Sequence, residues 1–146
     1  MHWSFHPVLH AAHLIEDMVR KELGCTGLQP RQARIIVAIG GSGPISQAAL
    51  AKAFAVSRPS MTVMIERLVR EGLVDRQHAE GRKRSLVRLS DSGAALVPKI
   101  EQAWSRVEDA LREILGPELQ HGLGGAALRA RDALGGRAPH ETLQKR

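Results

Sequence analysis

The segment from Leu50 to Ser90 limits the choice of fold more than any other part of this chain. An alanine- and leucine-rich stretch leads through a short turn at 55–57 into a second stretch with helical spacing. Two short segments of strand character follow, at 73–77 and 86–89, with a basic Gly-Arg-Lys-Arg tip between them. Two helices joined by a short turn and followed by a charged β-hairpin have the order of a winged helix-turn-helix. The sequence therefore predicts a mainly α fold with a small β-hairpin wing.

The charge of the chain favours an anionic partner. Its 146 residues include 21 Lys and Arg against 15 Asp and Glu, which gives a net charge of +6 with histidine neutral. Residues 76–88 alone hold five cations and one anion, a net charge of +4. An acidic membrane surface would also attract such a chain, and a basic run can be a merely solvated surface. A basic cluster directly after a helix-turn-helix pattern favours double-stranded DNA as the partner.

Length and cysteine usage narrow the class of protein. A chain of 146 residues with 43% hydrophobic content suits one compact domain, 1–146. Its single cysteine, Cys25, allows no internal disulfide, and the N-terminus does not resemble a signal peptide. No apolar run approaches the roughly 18 residues of a membrane helix. We expect a cytoplasmic protein without a membrane partner.

Helical spacing and turn residues predict six helices. Proline is expected at the first turn of the first helix, serine caps at Ser46, Ser57 and Ser90 or Asp91, and glycine at most of the helix ends. The Gly-rich run 40–44 should stop the second helix sharply, and Pro98 should bend the fifth. The predicted spans are 7–23, 31–39, 47–54, a fourth helix that follows the Ser57 cap, a helix that follows Ser90 or Asp91 and runs to about 115, and 118–134.

The fourth predicted helix has two distinct faces. Met61, Met64, Ile65 and Leu68 share one face, which we expect to pack in the core. The opposite face is then free to meet DNA. Its residues are Arg58, Pro59, Thr62, Val63, Glu66 and Arg70, with Arg67 at the margin.

The fifth predicted helix carries a heptad-like seam of apolar residues. A lone long helix would leave this seam exposed unless a second chain covered it, so the seam predicts a homodimer. The apolar stripe of the first helix, which includes Val8, Ile15 and Val19, should belong to the same interface. The seam residues are Leu96, Ile100, Ala103, Val107, Leu111 and Ile114.

Several short phrases between residues 28 and 93 form a recognisable set. They are Leu28-Gln29-Pro30-Arg31-Gln32, Leu50-Ala51, Val56-Ser57-Arg58-Pro59-Ser60-Met61-Thr62, Arg67-Leu68, Glu71-Gly72-Leu73-Val74-Asp75-Arg76 and Leu89-Ser90-Asp91-Ser92-Gly93. With these phrases, residues 28–93 resemble the multiple-antibiotic-resistance regulator (MarR) family of transcription factors. At the wing, Arg82 stands where the family usually has an aspartate.

The resemblance implies a homodimer that binds a short pseudo-palindromic operator and represses transcription until a small molecule releases it. It implies a winged helix-turn-helix lobe at 28–93 and dimerisation helices at 1–24 and 94–135. The small and polar residues of 136–146 predict a loose tail. Among the expected groove contacts of the recognition helix, which are Ser57, Arg58, Ser60, Thr62 and Val63, only Arg58 has the fork geometry to read guanine bidentately. The serine and threonine hydroxyls could equally cap the helix or hold phosphates. The expected DNA-binding residues are Ser57, Arg58, Ser60, Thr62, Val63, Arg76, Arg82, Lys83 and Arg84.

Histidines near the start leave two interpretations open. His6, His10 and His13 have the spacing of one helical face, as a metal site requires, but no nearby residue clearly completes a tetrahedral set. A metal-responsive regulator is therefore an alternative, and the favoured prediction has no metal or cofactor. The resemblance favours an effector cleft instead, although Trp104 also fits a core position. The candidate cleft residues are Trp3, His10, His13, Arg34 and Trp104.

Two other functional classes receive less support. A winged-helix module that binds protein would need an uncharged recognition face, and the cations argue against it. An enzyme is not expected, because the sequence has no phosphate-binding loop, no nucleophile motif and no tyrosine. Cys25 could act as a redox switch, but its place at a helix end fits an incidental turn residue better.

Overall fold

The computed structural model describes residue 3 and residues 5–78 and 85–136. The architecture is mainly helical with a small antiparallel sheet, which confirms the predicted fold class. A short 3-10 helix, Leu23–Thr26, follows the first helix. The helices are α1 Phe5–Glu22, α2 Pro30–Ser42, α3 Gln47–Ala53, α4 Arg58–Arg70, α5 Asp91–Leu115 and α6 Pro117–Ala133, and the strands are β1 Ile45–Ser46, β2 Val74–His78 and β3 Ser85–Leu89.

The sheet has three strands in the order β1-β3-β2, all antiparallel. Val87 of the central strand pairs with Ile45 on one side and with Arg76 on the other. The sequence predicted only the β2–β3 hairpin and missed β1. A two-residue strand is too short to show an alternating pattern, and it exists because Ile45 is buried beside Val87.

Serine side chains fix the starts of three helices. Ser46, Ser57 and Ser90 each accept a hydrogen bond from a backbone N–H three residues later, at 3.1 to 3.2 Å. Such caps satisfy donors that the first turn of a helix leaves unpaired. The predicted caps are therefore confirmed, with Ser90 and not Asp91 as the cap of α5.

Helix α2 is longer than the sequence predicted. It runs through Gly40 and Gly41 and ends at Ser42, because a glycine within a helix weakens it without breaking it. A Cβ atom on Gly40 would lie 3.2 Å from Leu89 Cδ1, so the absence of a side chain lets α2 approach the sheet and α5. The stop is Gly43, whose φ of 69° lies in the left-handed region. Helix α5 likewise continues without interruption through Pro98.

The hydrophobic core lies between α2, α3, α4, α5 and the sheet. Ile100 and Ala103 of α5 are fully buried in it, and Val107 is 5% exposed. The expectation that the whole α5 seam needs a second chain is therefore wrong for its first half, because α1 and α2 of the same chain cover it. The main buried side chains are Leu23, Ile35, Ile36, Ile39, Leu50, Met61, Ile65, Leu68, Val74, Val87 and Ile100.

Large apolar side chains remain exposed at the two ends of the described chain. Neither α1 nor α6 has a buried residue. Within the described residues, no helix is long and apolar enough to cross a membrane. The exposed side chains at these ends are Trp3, Phe5, Val8, Leu9, Leu14, Ile114, Leu119, Leu123, Leu128 and Leu134.

The turn between α3 and α4 contains a strained residue, Ala55. Its φ of 52° is left-handed, and among the described residues no other side-chain-bearing residue has a positive φ. A Cβ in this region costs roughly 1 to 2 kcal/mol. We expect Ala55→Gly to raise the stability by about 1 kcal/mol, because the relief of strain exceeds the added entropy of the unfolded chain.

Thermal unfolding followed by circular dichroism measures this change. Ala48→Gly is the matched control, since Ala48 is exposed within helix α3. There the same substitution should lower the stability by about 0.8 to 1 kcal/mol. A lower Tm for Ala55→Gly than for the unaltered chain would contradict the assignment of strain.

Candidate nucleic-acid interface

Helix α4 presents one buried face and one exposed face. Met61, Ile65 and Leu68 are fully buried, as the sequence predicted, and Met64 is half-buried. Val63 on the opposite side is 66% exposed. The helix packs on α3 and β2, so its outer face lies beside the β2–β3 hairpin. This is the arrangement of a recognition helix with its wing.

The start of α4 offers hydroxyl groups at the surface. Ser57 and Ser60 are exposed, and their Oγ atoms lie 2.8 Å apart. The Ser57 Oγ also accepts the Ser60 N–H at 3.2 Å, which caps the helix. One hydroxyl hydrogen joins the two oxygens, so the pair keeps one hydrogen for an outside acceptor. The two serines can therefore cap α4 and hold a phosphate at the same time.

Thr62 is bound within the chain. Its half-buried hydroxyl lies 3.0 Å from the Arg58 carbonyl oxygen and 3.3 Å from Gln47 Oε1. A hydroxyl has a single hydrogen to donate, and both acceptors are internal. The geometry therefore gives Thr62 a part in holding α4 against the start of α3. Sequence reasoning missed Gln47, because nothing in the local pattern marks a contact across 15 positions.

The predicted DNA-binding cations differ in their surroundings. Arg58 is exposed at the first position of α4 and makes no ion pair with the described residues. Arg76 on β2 lies 3.8 Å from Glu66 on α4. Such an exposed pair is worth at most about 1 kcal/mol, so a phosphate can displace the carboxylate. Arg82, Lys83 and Arg84 lie outside the described residues.

A polar chain that sequence reasoning missed secures the end of α4. The buried side chain of Gln32 donates from Nε2 to Glu71 Oε2 at 3.4 Å. The other oxygen of Glu71 accepts from Arg67 Nε at 2.9 Å, and Gln32 Oε1 accepts from the Gln29 N–H at 2.9 Å. The start of α2 is therefore hydrogen-bonded to the C-terminal end of α4.

The five candidate effector-binding residues do not contact one another through hydrogen bonds, ion pairs or ring contacts within the described part of the single chain. Trp3 is exposed with its ring 6.3 Å from that of Phe5, and Trp104 is half-buried against the core. The Arg34 guanidinium lies 5.7 Å from the ring centre of Phe54. His10 and His13 are exposed on α1, where His13 lies 3.6 Å from Asp17. None of the described contacts joins two of the five candidates.

The alternative metal site, Cys25 and a surface cavity can also be compared with the predictions. In the described part of the chain, no three histidine, cysteine or carboxylate side chains come together in a group that could hold a metal ion. Cys25 is exposed in the 3-10 helix. A polar cavity of about 300 Å³ lies where the hairpin meets α5, away from the candidate effector residues. Its lining is Asp75, Arg88, Leu89, Ser90, Asp91 and Ser92.

Comparison with known proteins finds similar transcriptional regulators. A family model described as the MarR family matches residues 26–85. The HTH-type transcriptional regulator FarR of Neisseria gonorrhoeae is 28% identical over 112 residues, which cover 76% of this chain and 77% of FarR.

Solved structures agree on the fold. A probable transcriptional regulator from Pseudomonas aeruginosa is 26% identical with a TM-score of 0.76, and the match covers 84% of this chain and 92% of that one. The transcriptional repressor CouR, solved on a 23-mer DNA duplex, has a TM-score of 0.82 at 20% identity, with coverage of 88% and 92%. With a helix-turn-helix core, a β-hairpin and these matches, the chain resembles the MarR family, whose model it matches over residues 26–85.

Proposed function

We propose that this chain is a sequence-specific DNA-binding transcriptional regulator that acts as a homodimer on a pseudo-palindromic operator. The observation that carries the proposal is the exposed outer face of α4, which begins with Arg58 and the Ser57–Ser60 pair and lies beside the hairpin. Members of this family are transcriptional regulators and not enzymes, as the sequence predicts. The wing residues Arg82, Lys83 and Arg84 complete the proposed interface by position.

The proposed dimer rests on the distribution of exposed apolar surface. The exposed large hydrophobic side chains at the two ends of the described chain form two groups. One group lies on α1 and just before it, and the other lies on the last turn of α5, on α6 and just after α6. Surfaces of this kind mark contacts with another protein. We assign residues 28–93 to DNA binding and 1–24 and 94–135 to dimerisation, with 136–146 as a tail outside both.

The proposal also covers whether the protein represses or activates transcription, and what releases it from DNA. CouR is described as a repressor, and another structural relative, RdhR-CbdbA1625, as organohalide sensing. We propose a repressor that a small molecule releases, with the effector held between the dimer helices and the winged lobe. The residues that would hold it are those of the candidate cleft. A regulator that binds DNA in this way acts in the cytoplasm.

Selection of bound sequences from random double-stranded DNA tests the function directly. We expect enrichment of a nearly symmetric site whose half-sites lie about one helical turn, roughly 34 Å, apart. The selection uses the full chain at micromolar concentration. Failure to enrich any sequence, with the protein folded, would overturn sequence-specific DNA binding and favour a protein-binding module.

Arg58→Ala tests the leading base contact. If Arg58 reads a base edge, its loss should weaken binding to the selected site by about 1 to 3 kcal/mol and relax discrimination at one position in each half-site. Titrations of the selected site and of random DNA by fluorescence anisotropy measure both effects. Arg31→Ala, at an exposed arginine of α2, removes the same charge as a control. Equal losses on both DNAs would make Arg58 a phosphate contact.

A further inference from the structure

Val63 is an exception in the distribution of exposed apolar side chains. Among the described residues between 15 and 113, it is the one large hydrophobic side chain that is exposed, at 66%. The other exposed ones lie at the ends of the chain, where we propose the dimer interface. An isolated exposed valine can be incidental on a protein surface. Val63, however, lies on the recognition helix α4, where an exposed apolar side chain can contact DNA.

Val63 lies at the centre of the outer face of α4. Helical residues are spaced by 100°, so Val63 points opposite to the mean direction of the fully buried Met61 and Ile65. Pro59, one turn earlier, and Arg70, two turns later, share this direction and are exposed. The first two turns of the outer face are therefore apolar at their centre, with the polar Ser60 at one side.

We propose that Val63 reads the C5-methyl group of a thymine in the major groove. This inference rests on the proposed DNA-binding function. A recognition helix presents its N-terminal residues to base edges, and thymine is the base that displays a methyl group there. A valine side chain has no donor or acceptor for the polar edges of the other bases. Arg58 at the start of the same helix supplies the charge that attracts DNA to this surface.

Uracil substitution removes the methyl group and leaves the base pair intact. In the selected operator, each thymine of the half-site is replaced in turn by uracil, and the ratio of dissociation constants is measured for the full chain. At one position the uracil duplex should bind about fourfold more weakly per half-site, the value of one buried methyl group. Val63→Ala should bring this ratio close to one. Val63→Thr, which keeps a methyl group, should retain part of it.

Val8→Ala is the matched control, because Val8 is 63% exposed on α1, away from α4. It should leave the thymine-to-uracil ratio unchanged, whatever its effect on overall affinity. A ratio near one at every position, on an operator that is bound specifically, would overturn the methyl contact and leave the proposed function intact. A ratio that persists in Val63→Ala would assign the methyl to another residue. Absence of specific binding to any DNA would overturn both proposals.

Discussion

Replacing Gly93 by alanine is expected to lower the stability of the protein by about 3 kcal/mol, at the upper end of the usual cost of overpacking. An added Cβ would stand 2.0 Å from the carbonyl oxygen of Leu73. The oxygen belongs to the backbone and the Cβ is bonded directly to Cα, so neither atom can rotate away as the far end of a side chain would. For a chain of this length the loss corresponds to a fall in Tm of roughly 6 to 12 °C.

The contact is close because two hydrogen bonds hold Ser90, the cap of α5, against the residues just before β2. The Ser90 N–H donates to the Leu73 oxygen at 3.1 Å, and the Ser90 hydroxyl donates to the Gly72 oxygen at 2.7 Å. The same hydroxyl oxygen accepts the Gly93 N–H at 3.1 Å. Moving α5 away to admit a methyl group would break the two bonds from Ser90 to Gly72 and Leu73. DNA binding should therefore fall together with stability, since the hairpin depends on this junction.

Thermal unfolding of Gly93→Ala is compared with that of Gly24→Ala. Gly24 is exposed in the 3-10 helix, and a Cβ there would meet no atom within 4 Å. The control should change the Tm by no more than about 2 °C, which corresponds to the usual range of surface substitutions. An unchanged Tm for Gly93→Ala would show that the junction between the hairpin and α5 is looser than the structure has it.

Features set by neighbours in sequence could be predicted from the sequence. The serine caps and the division of α4 into a buried and an exposed face depend on residues three or four positions apart. Ser57, Met61 and Ile65 carry that signal by themselves. The predicted core face of α4 is therefore confirmed.

Features set by contacts between distant segments could not be predicted in this way. The strand β1 exists through pairing with β3, about 40 positions away, and the bond from Gln32 to Glu71 spans 39 positions. Gly40, near the end of α2, lies against Leu89 of β3 and Val97 of α5, which are distant in sequence. The same reason explains the seam of α5, whose spacing shows an apolar face without showing which chain covers it. Ile100 is covered by its own chain, and Ile114 is 70% exposed.

The proposed DNA contacts show the same limit. Spacing placed Thr62 on the outer face of α4, whereas its hydroxyl is directed to acceptors within the chain. Arg76 was predicted as a cation free to meet DNA, and it lies beside Glu66 of the neighbouring helix. Residue type and position on a helix indicate what a side chain could contact. The partner that the side chain has in the folded chain then decides whether it is still able to contact DNA.

Replacing both Leu119 and Leu123 by glutamate is expected to convert the dimer into a monomer. These leucines are 68% and 44% exposed on α6, which has no buried residue of its own. Burying each leucine at an interface is worth roughly 1.5 to 3 kcal/mol. Four such side chains per dimer would contribute about 6 kcal/mol or more, a change of at least 10⁴-fold in the dissociation constant.

The composition of α6 makes the dependence on a partner stronger. Gly122, Gly124 and Gly125 lie inside this helix, and each lowers its intrinsic stability by about 0.8 to 1 kcal/mol relative to alanine. Within its own chain α6 is joined to α5 by the Gln120 side chain, which donates to Glu108 at 2.6 and 2.9 Å. A helix with three glycines and no buried residue gains much of its stability from packing against another surface. A second chain on its apolar side would supply it.

Sedimentation equilibrium at micromolar concentration measures the expected change. The unaltered protein should show twice the 15.9 kDa chain mass, and the double variant should show the single mass with less helical circular dichroism and no operator binding. Gln102→Glu is the control and should remain dimeric, because Gln102 is exposed on α5 and is not part of its apolar seam. Both leucines are accessible in the single chain, so their replacement removes little packing within it. A fall from the dimer mass to the single-chain mass, together with the loss of DNA binding, would therefore be explained by the loss of the dimer interface. A double variant that stays dimeric would move the interface away from α6, and an unaltered chain that is monomeric while binding a symmetric operator would show that the two half-sites are filled independently.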